Sequence, residues 1–197
     1  ALFLLWLAGR TAVLASAFLP ATLVAVIDLA FPVVLSLVIL REIVAGRNWR
    51  NLVVLVLLVV FTLANLVFHL EAYRGAYPAK GLGLRLALAA VLMMIGLIGG
   101  RIIPSFTRNW LVQRKVPDLP VPPMQKLDKG VLLFSILALL AWVIFPEADI
   151  TGAALVLMAL GQFWRLSRWK GHRTTAEPLV TVLHAGYVFV PLGALAM

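Results

Sequence analysis

The feature that most limits how this chain can fold is a succession of apolar runs of roughly 20 residues, separated by short connections that carry most of the charge. A run of that length matches the hydrocarbon thickness of a bilayer when it is helical. Only helices and closed barrels satisfy their own backbone groups in lipid, and no alternating ten-residue segments point to a barrel. The pattern predicts an all-α, polytopic transmembrane helix bundle with about seven spans, near residues 1–18, 21–44, 52–71, 82–103, 130–146, 151–168 and 178–196. Composition agrees, with 63% hydrophobic and 13% charged residues, against about one half and one quarter in soluble domains. No repeat or low-complexity tract divides the chain, so residues 1–197 read as a single transmembrane domain. The chain opens at Ala1 and ends at Met197, each within an apolar run, and is expected to be a fragment of a longer protein.

Charge and cysteine usage narrow the function classes. The chain has no cysteine, which excludes disulfides, thiolate metal sites and thiol nucleophiles here. The net charge of +9 does not indicate nucleic acid, because the basic residues lie mostly between spans, where orientation and anionic headgroups account for them. Thirteen of the 17 Lys and Arg residues fall on the second, fourth and sixth connections and adjoining helix ends. Only Arg74, Lys80 and Arg85 fall on the alternate side, and Arg10 lies within the first span. That bias places the long connection, about 104–130, in the cytoplasm. Its Pro117, Pro120, Pro122 and Pro123 predict a semi-rigid extended segment. Before them, Ser105–Lys115 is expected to lie along the interface, with Phe106, Trp110 and Leu111 towards lipid and the basic residues towards headgroups.

Polar residues inside the spans are the candidates for function, since each must face protein, water or a cofactor. Arg10 has three readings: it holds an anionic group such as a cofactor carboxylate, it pairs with Asp28, or it sits where the first span breaks. Pro32 is expected to bend the second span. Thr62, Asn65 and His69 share one helical face, making His69 a candidate ligand with Asn65 placed to orient it, or else a hydrogen-bonding group near the span's end. Thr181, His184 and Tyr187 share a face of the last span. His184 is either a metal-ligating imidazole or a hydrogen-bond partner of Tyr187 or another helix. His69 lies roughly 25 Å from the cytoplasmic start of its helix and His184 about 9 Å, which predicts different leaflets and no shared ion. Gln162 is expected to bond a neighbouring helix, Arg165 to mark the interface with the nearby Trp residues, and His172 to be solvated.

The central stretch runs Gly99-Gly100-Arg101-Ile102-Ile103-Pro104-Ser105-Phe106-Thr107-Arg108-Asn109-Trp110-Leu111. Gly96 and Gly100 have the spacing that admits a close neighbouring helix, Arg101 suits a helix C-terminus, and Pro104 is expected to break the helix. This wording resembles the central motif of the NnrS family. The resemblance extends to Gly9-Arg10, to RNLVV from Arg50, to NLVFHLEAY from Asn65 and to LHAGYVFVPLG from Leu183. It implies a bacterial cytoplasmic-membrane protein of the nitric oxide (nitrosative stress) response or denitrification, associated with haem and copper. By resemblance, His69 and His184 become ligands for haem or copper, and Arg10, Arg101 and Arg108 become partners of cofactor carboxylates or packing residues. Membrane lipids and nitric oxide or metal-nitrosyl species are the implied partners. The alternative from the residues alone is a cofactor-free transporter in which Arg10, Asp28 and the polar stripe line a substrate path.

Overall fold

The computed structural model describes residues 2–197, and every described regular element is helical. The helices are α1 Leu2–Leu14, α2 Ala21–Ala45, α3 Leu52–Tyr73, α4 Leu82–Gln113, α5 Lys126–Ile144, α6 Asp149–Ser167 and α7 Pro178–Ala196, with single 3-10 turns at Trp49–Asn51, Pro78–Lys80 and Gly171–Arg173. Six segments are long and apolar enough to cross a membrane. With α1, a shorter apolar helix of 13 residues, they make the seven helical segments of the expected polytopic bundle. Leu19 precedes Pro20, which disfavours helix at that point, and the chain leaves α1 through turns to begin α2. Many large apolar side chains stay exposed along the helices, Leu14, Phe18, Ile150 and Leu179 among them, as lipid-facing surfaces require.

The chain divides into two compact units, residues 1–91 and 92–197. In the first, α1 packs on α2 and α2 on α3. Gly9 makes the first contact possible, since a Cβ there would lie 3.1 Å from Asp28 Oδ1. The start of α4 joins this unit through Glu71 of α3, whose carboxylate accepts the Leu82 and Gly83 N–H groups at 2.8 and 3.3 Å. A side chain of another helix thus satisfies donors that a helix start leaves open.

In the second unit α6 packs on both α5 and α7, around a core of Ile103, Trp169, Tyr187 and Val190. Helix α4 runs unbroken through Pro104 for 32 residues, contrary to the expected break. Proline removes one rung of the helix ladder, at the Gly100 carbonyl, and is tolerated in membrane helices. Here Ser105 donates to the Arg101 carbonyl at 2.7 Å and Thr107 to the Ile103 carbonyl at 2.9 Å. The interfacial helix expected over Ser105–Lys115 is therefore mostly the end of α4. Its Phe106 is exposed, but Leu111 is buried rather than turned to lipid. Helix α5 begins at Lys126, four residues before the expected Gly130, because Gln125 and Asp128 form a reciprocal capping box.

The connection between α4 and α5 is strapped to the α6–α7 turn. Asp118 pairs with Lys170 and, at 2.9 Å, with Arg173, Pro120 is buried, and Val121 packs on the core. The hydrogen bond from Lys170, aided by the Arg173 charge, holds the Asp118 carboxyl below the usual carboxylate range. A depressed acid stabilises the docked strap above its unfolded pKa, near ~3.9, and that contribution is lost as pH falls through the lower folded value. Read as protection relative to the intrinsic rate at each pH, exchange of the hydrogen-bonded Val116 and Gln125 amides at the ends of the strap is expected to stay slow from neutrality down to about pH 4 and to quicken below it. Asp118→Asn should give the quick exchange already at pH 7; equal exchange in the two proteins at pH 7 would show that the pairs do not hold the strap.

Candidate functional site

Each unit contains one polar centre with a histidine. In the first unit the centre is Asp28, a carboxylate 4% exposed. Helix α1 brings Arg10 to its Oδ1. Helix α3 brings Asn65 Nδ2 to Oδ2 at 2.8 Å and His69 Nε2 to the same oxygen at 3.1 Å. The i, i+4 spacing of Asn65 and His69 lets both reach one acceptor. Of the readings open for Arg10, the geometry gives pairing with Asp28. Asn65 does not bond the His69 ring; it shares the carboxylate with it. Thr62 bonds back to the Leu58 carbonyl at 2.8 Å and takes no part.

In the second unit His184 is 7% exposed. Its Nε2 lies 2.8 Å from the Thr107 hydroxyl on α4, a residue that sequence reasoning passed over. Its Nδ1 is enclosed and has no hydrogen-bond partner. Gly171, in the α6–α7 turn, lies against that nitrogen: a Cβ there would sit 2.6 Å from Nδ1. A crevice of about 380 Å³ adjoins the ring, lined in part by Ser167, His172, Thr175 and Thr181. His172 is exposed as expected.

Tyr187 belongs to a different cluster, which the sequence reading missed. Arg165 is fully buried, not interfacial. Its Nε donates to Asp128 at 3.1 Å, and its Nη1 donates to Gln162 at 2.9 Å and Tyr187 at 3.0 Å. Tyr187 donates in turn to Gln162 Oε1 at 2.8 Å, and Gln162 Nε2 to Ser135 at 2.9 Å. This fulfils the interhelical bond expected of Gln162. Gly100 gives the guanidinium its room, since a Cβ there would collide with it. The signal available in the sequence was Gln162 and Arg165 one turn apart, with an acid in the first turn of a preceding span.

Arg101 is half-buried with its Nε enclosed and unpartnered, and Arg108 is exposed. Among the described residues no group of three or more His, Asp or Glu side chains is gathered as a ready-made metal site. Chemically, the two centres offer single imidazoles held by polar partners inside apolar helices.

These features define a polytopic helical membrane protein with one buried and one partly buried imidazole, each held by a polar partner. The chain belongs to the NnrS protein family, whose model matches residues 1–197. No curated protein and no solved structure matches it.

Proposed function

We propose that the protein is a haem- and copper-associated membrane protein of the nitric oxide response, protecting metal centres from nitrosylation or supporting denitrification. The family match over the whole chain carries this reading. The enclosed, unpartnered Nδ1 of His184 supports it, because a buried imidazole nitrogen with no hydrogen-bond partner is suited to ligating a metal. His184 and His69 would hold the metal, and Asp28 stands behind His69 as carboxylates commonly stand behind metal-ligating histidines. When bound, haem iron or copper supplies a centre that takes up nitric oxide. Around it the chain excludes water with apolar helices and fixes each ring by a hydrogen bond. The basic connections suit a cytoplasmic face against anionic lipid in a bacterial cytoplasmic membrane. Nitric oxide or a metal-nitrosyl species is the small-molecule partner, and Arg101 is a candidate for a cofactor carboxylate.

The transporter alternative draws on the intramembrane Arg10–Asp28–Asn65–His69 group, but Arg10 and Asp28 already satisfy each other. An optical spectrum and metal analysis of the purified full-length protein separates the two. Bound haem or copper is expected, with its content falling in His69→Ala or His184→Ala. Well-folded protein with neither metal, yet with specific ligand binding, would replace this reading with transport.

A further inference from the structure

We propose that the groove between α4 and α7 is a binding site for one anionic phospholipid of the cytoplasmic leaflet. Its acyl chain lies in the groove and its phosphate is held by Arg101, with Arg108 beside the headgroup. The inference needs only that α4 and α7 span the membrane, and it stands apart from the cofactor reading. It gives Arg101 a phosphate in place of a cofactor carboxylate.

The groove holds about 390 Å³ and is walled in part by Met94, Ile98 and Ile102 of α4 and by Val182, Leu183 and Gly186 of α7. No lining side chain carries a charge, and the Tyr187 hydroxyl is already engaged with Gln162 and Arg165. Ile98, Ile102, Val182 and Leu183 are exposed, so the groove opens outward, where a membrane presents acyl chains. Two glycines shape it. Gly99 lets the Tyr187 ring lie against α4, since a Cβ there would stand 2.9 Å from Cδ2. Gly186 faces open space, with nothing within 4 Å of where its Cβ would be, and leaves the α7 wall one side chain short.

The same strip of α4 turns basic where the hydrocarbon ends. Met94, Ile98, Arg101, Ser105 and Arg108 recur at alternating four- and three-residue spacing, which sets them along one helical face. From Leu82 to Arg101 the helix rises roughly 28 Å, close to the hydrocarbon core of about 30 Å. Arg101 thus stands at the depth of lipid phosphates, at the cytoplasmic end of the groove, and Arg108 follows roughly 10 Å further on. The Arg101 side chain is half-buried, with its Nε enclosed and unpartnered. Neither arginine joins an ion pair among the described residues. Ser105, between them, spends its hydroxyl on the Arg101 carbonyl, so the two arginines supply the recognition. A guanidinium fork matches phosphate oxygens, and two uncompensated cations above an apolar groove select a headgroup of net negative charge over a zwitterionic one.

The test uses delipidated full-length protein in detergent, titrated with phosphatidylglycerol or phosphatidylcholine of identical chains and followed by native mass spectrometry and thermal unfolding. One tightly held phosphatidylglycerol is expected, raising the melting temperature more than phosphatidylcholine does. Arg101→Gln should weaken phosphatidylglycerol about tenfold or more, the worth of a charge-assisted hydrogen bond, and leave phosphatidylcholine unchanged. Arg101→Lys should restore part of the preference. Gly186→Leu, which fills the groove, should weaken both lipids while the lipid-free protein melts as before. Arg114→Gln, at an exposed arginine off the strip, should change neither. Equal losses from Arg101→Gln and Arg114→Gln would replace the site with diffuse surface charge. Unchanged lipid binding in Gly186→Leu would remove the groove from the proposal. A lower melting temperature or altered oligomeric state of lipid-free Gly186→Leu would mean that another helix or a second copy fills the groove. Lower haem content in Arg101→Gln with lipid binding intact would return that arginine to the cofactor.

Discussion

Asp128→Ala is expected to lose about 3–5 kcal/mol of stability, which for a membrane domain of ordinary stability means little folded protein. The effect comes from what is left behind. Arg165 has no exposed surface, and without Asp128 its charge would stay buried against Gly96, Gln162 and Tyr187, which are neutral partners. A single neutral hydrogen bond between membrane helices contributes far less, about 0.6 kcal/mol on average. Removing one ion should therefore cost several times more than removing a hydroxyl from the same cluster. The check is thermal unfolding in detergent of Asp128→Ala beside Asp128→Leu with Arg165→Met. The double variant should recover most of the loss, since buried pairs replaced by apolar residues of similar volume are often neutral. A double variant as unstable as the single one would mean that the pair contributes more than its own charge balance.

Gly83→Ala is expected to destabilise the first unit by about 1–3 kcal/mol, the range for overpacking. A Cβ at this position would meet the Phe68 amide nitrogen, lie 2.8 Å from the Phe68 Cα and 2.9 Å from the Ala64 carbonyl oxygen. All three are backbone atoms, so no rotamer change relieves the contact, and α4 must draw away from α3. That movement also pulls Leu82 and Gly83 from the Glu71 carboxylate. Gly96→Ala is the comparison, because its Cβ would first meet the flexible Leu132 side chain at 3.4 Å. Its expected change is near zero. Equal melting shifts for the two variants would show that backbone contact at Gly83 is not what limits substitution.

The length and spacing of the apolar runs made the helical membrane fold readable, whereas the Gly96–Gly100 spacing in α4, read as room for a close helix, accommodates the side chains of Leu132 and Arg165. What the sequence did not disclose were effects that depend on a partner far along the chain. Arg165 sits among Trp164, Arg168 and Trp169, a cluster typical of interfaces, and only its pairing with Asp128 of α5 makes burial tolerable. Pro104 looked like a helix end by its local preference, whereas the membrane helix runs on through it with the loss of one rung. The early start of α5 was hidden because Gln125 and Asp128 form an uncommon version of the capping box. At the candidate site, His69 and His184 stood out as imidazoles in apolar helices. Thr107 did not, because a threonine bonded to its own helix is ordinary until a second helix brings an imidazole to it.

The Asp128–Arg165 pair also has an electrical consequence. Moving one elementary charge through a membrane potential is worth about 2.3 kcal/mol per 100 mV. Two opposite charges held 3.1 Å apart sum to zero, so a field exerts almost no net force on the pair. An arginine fully enclosed by protein would by itself make α6 a voltage-sensing element. Paired as it is with α5, the charge couples the two helices to each other, and the pair offers a membrane potential no net charge to act on.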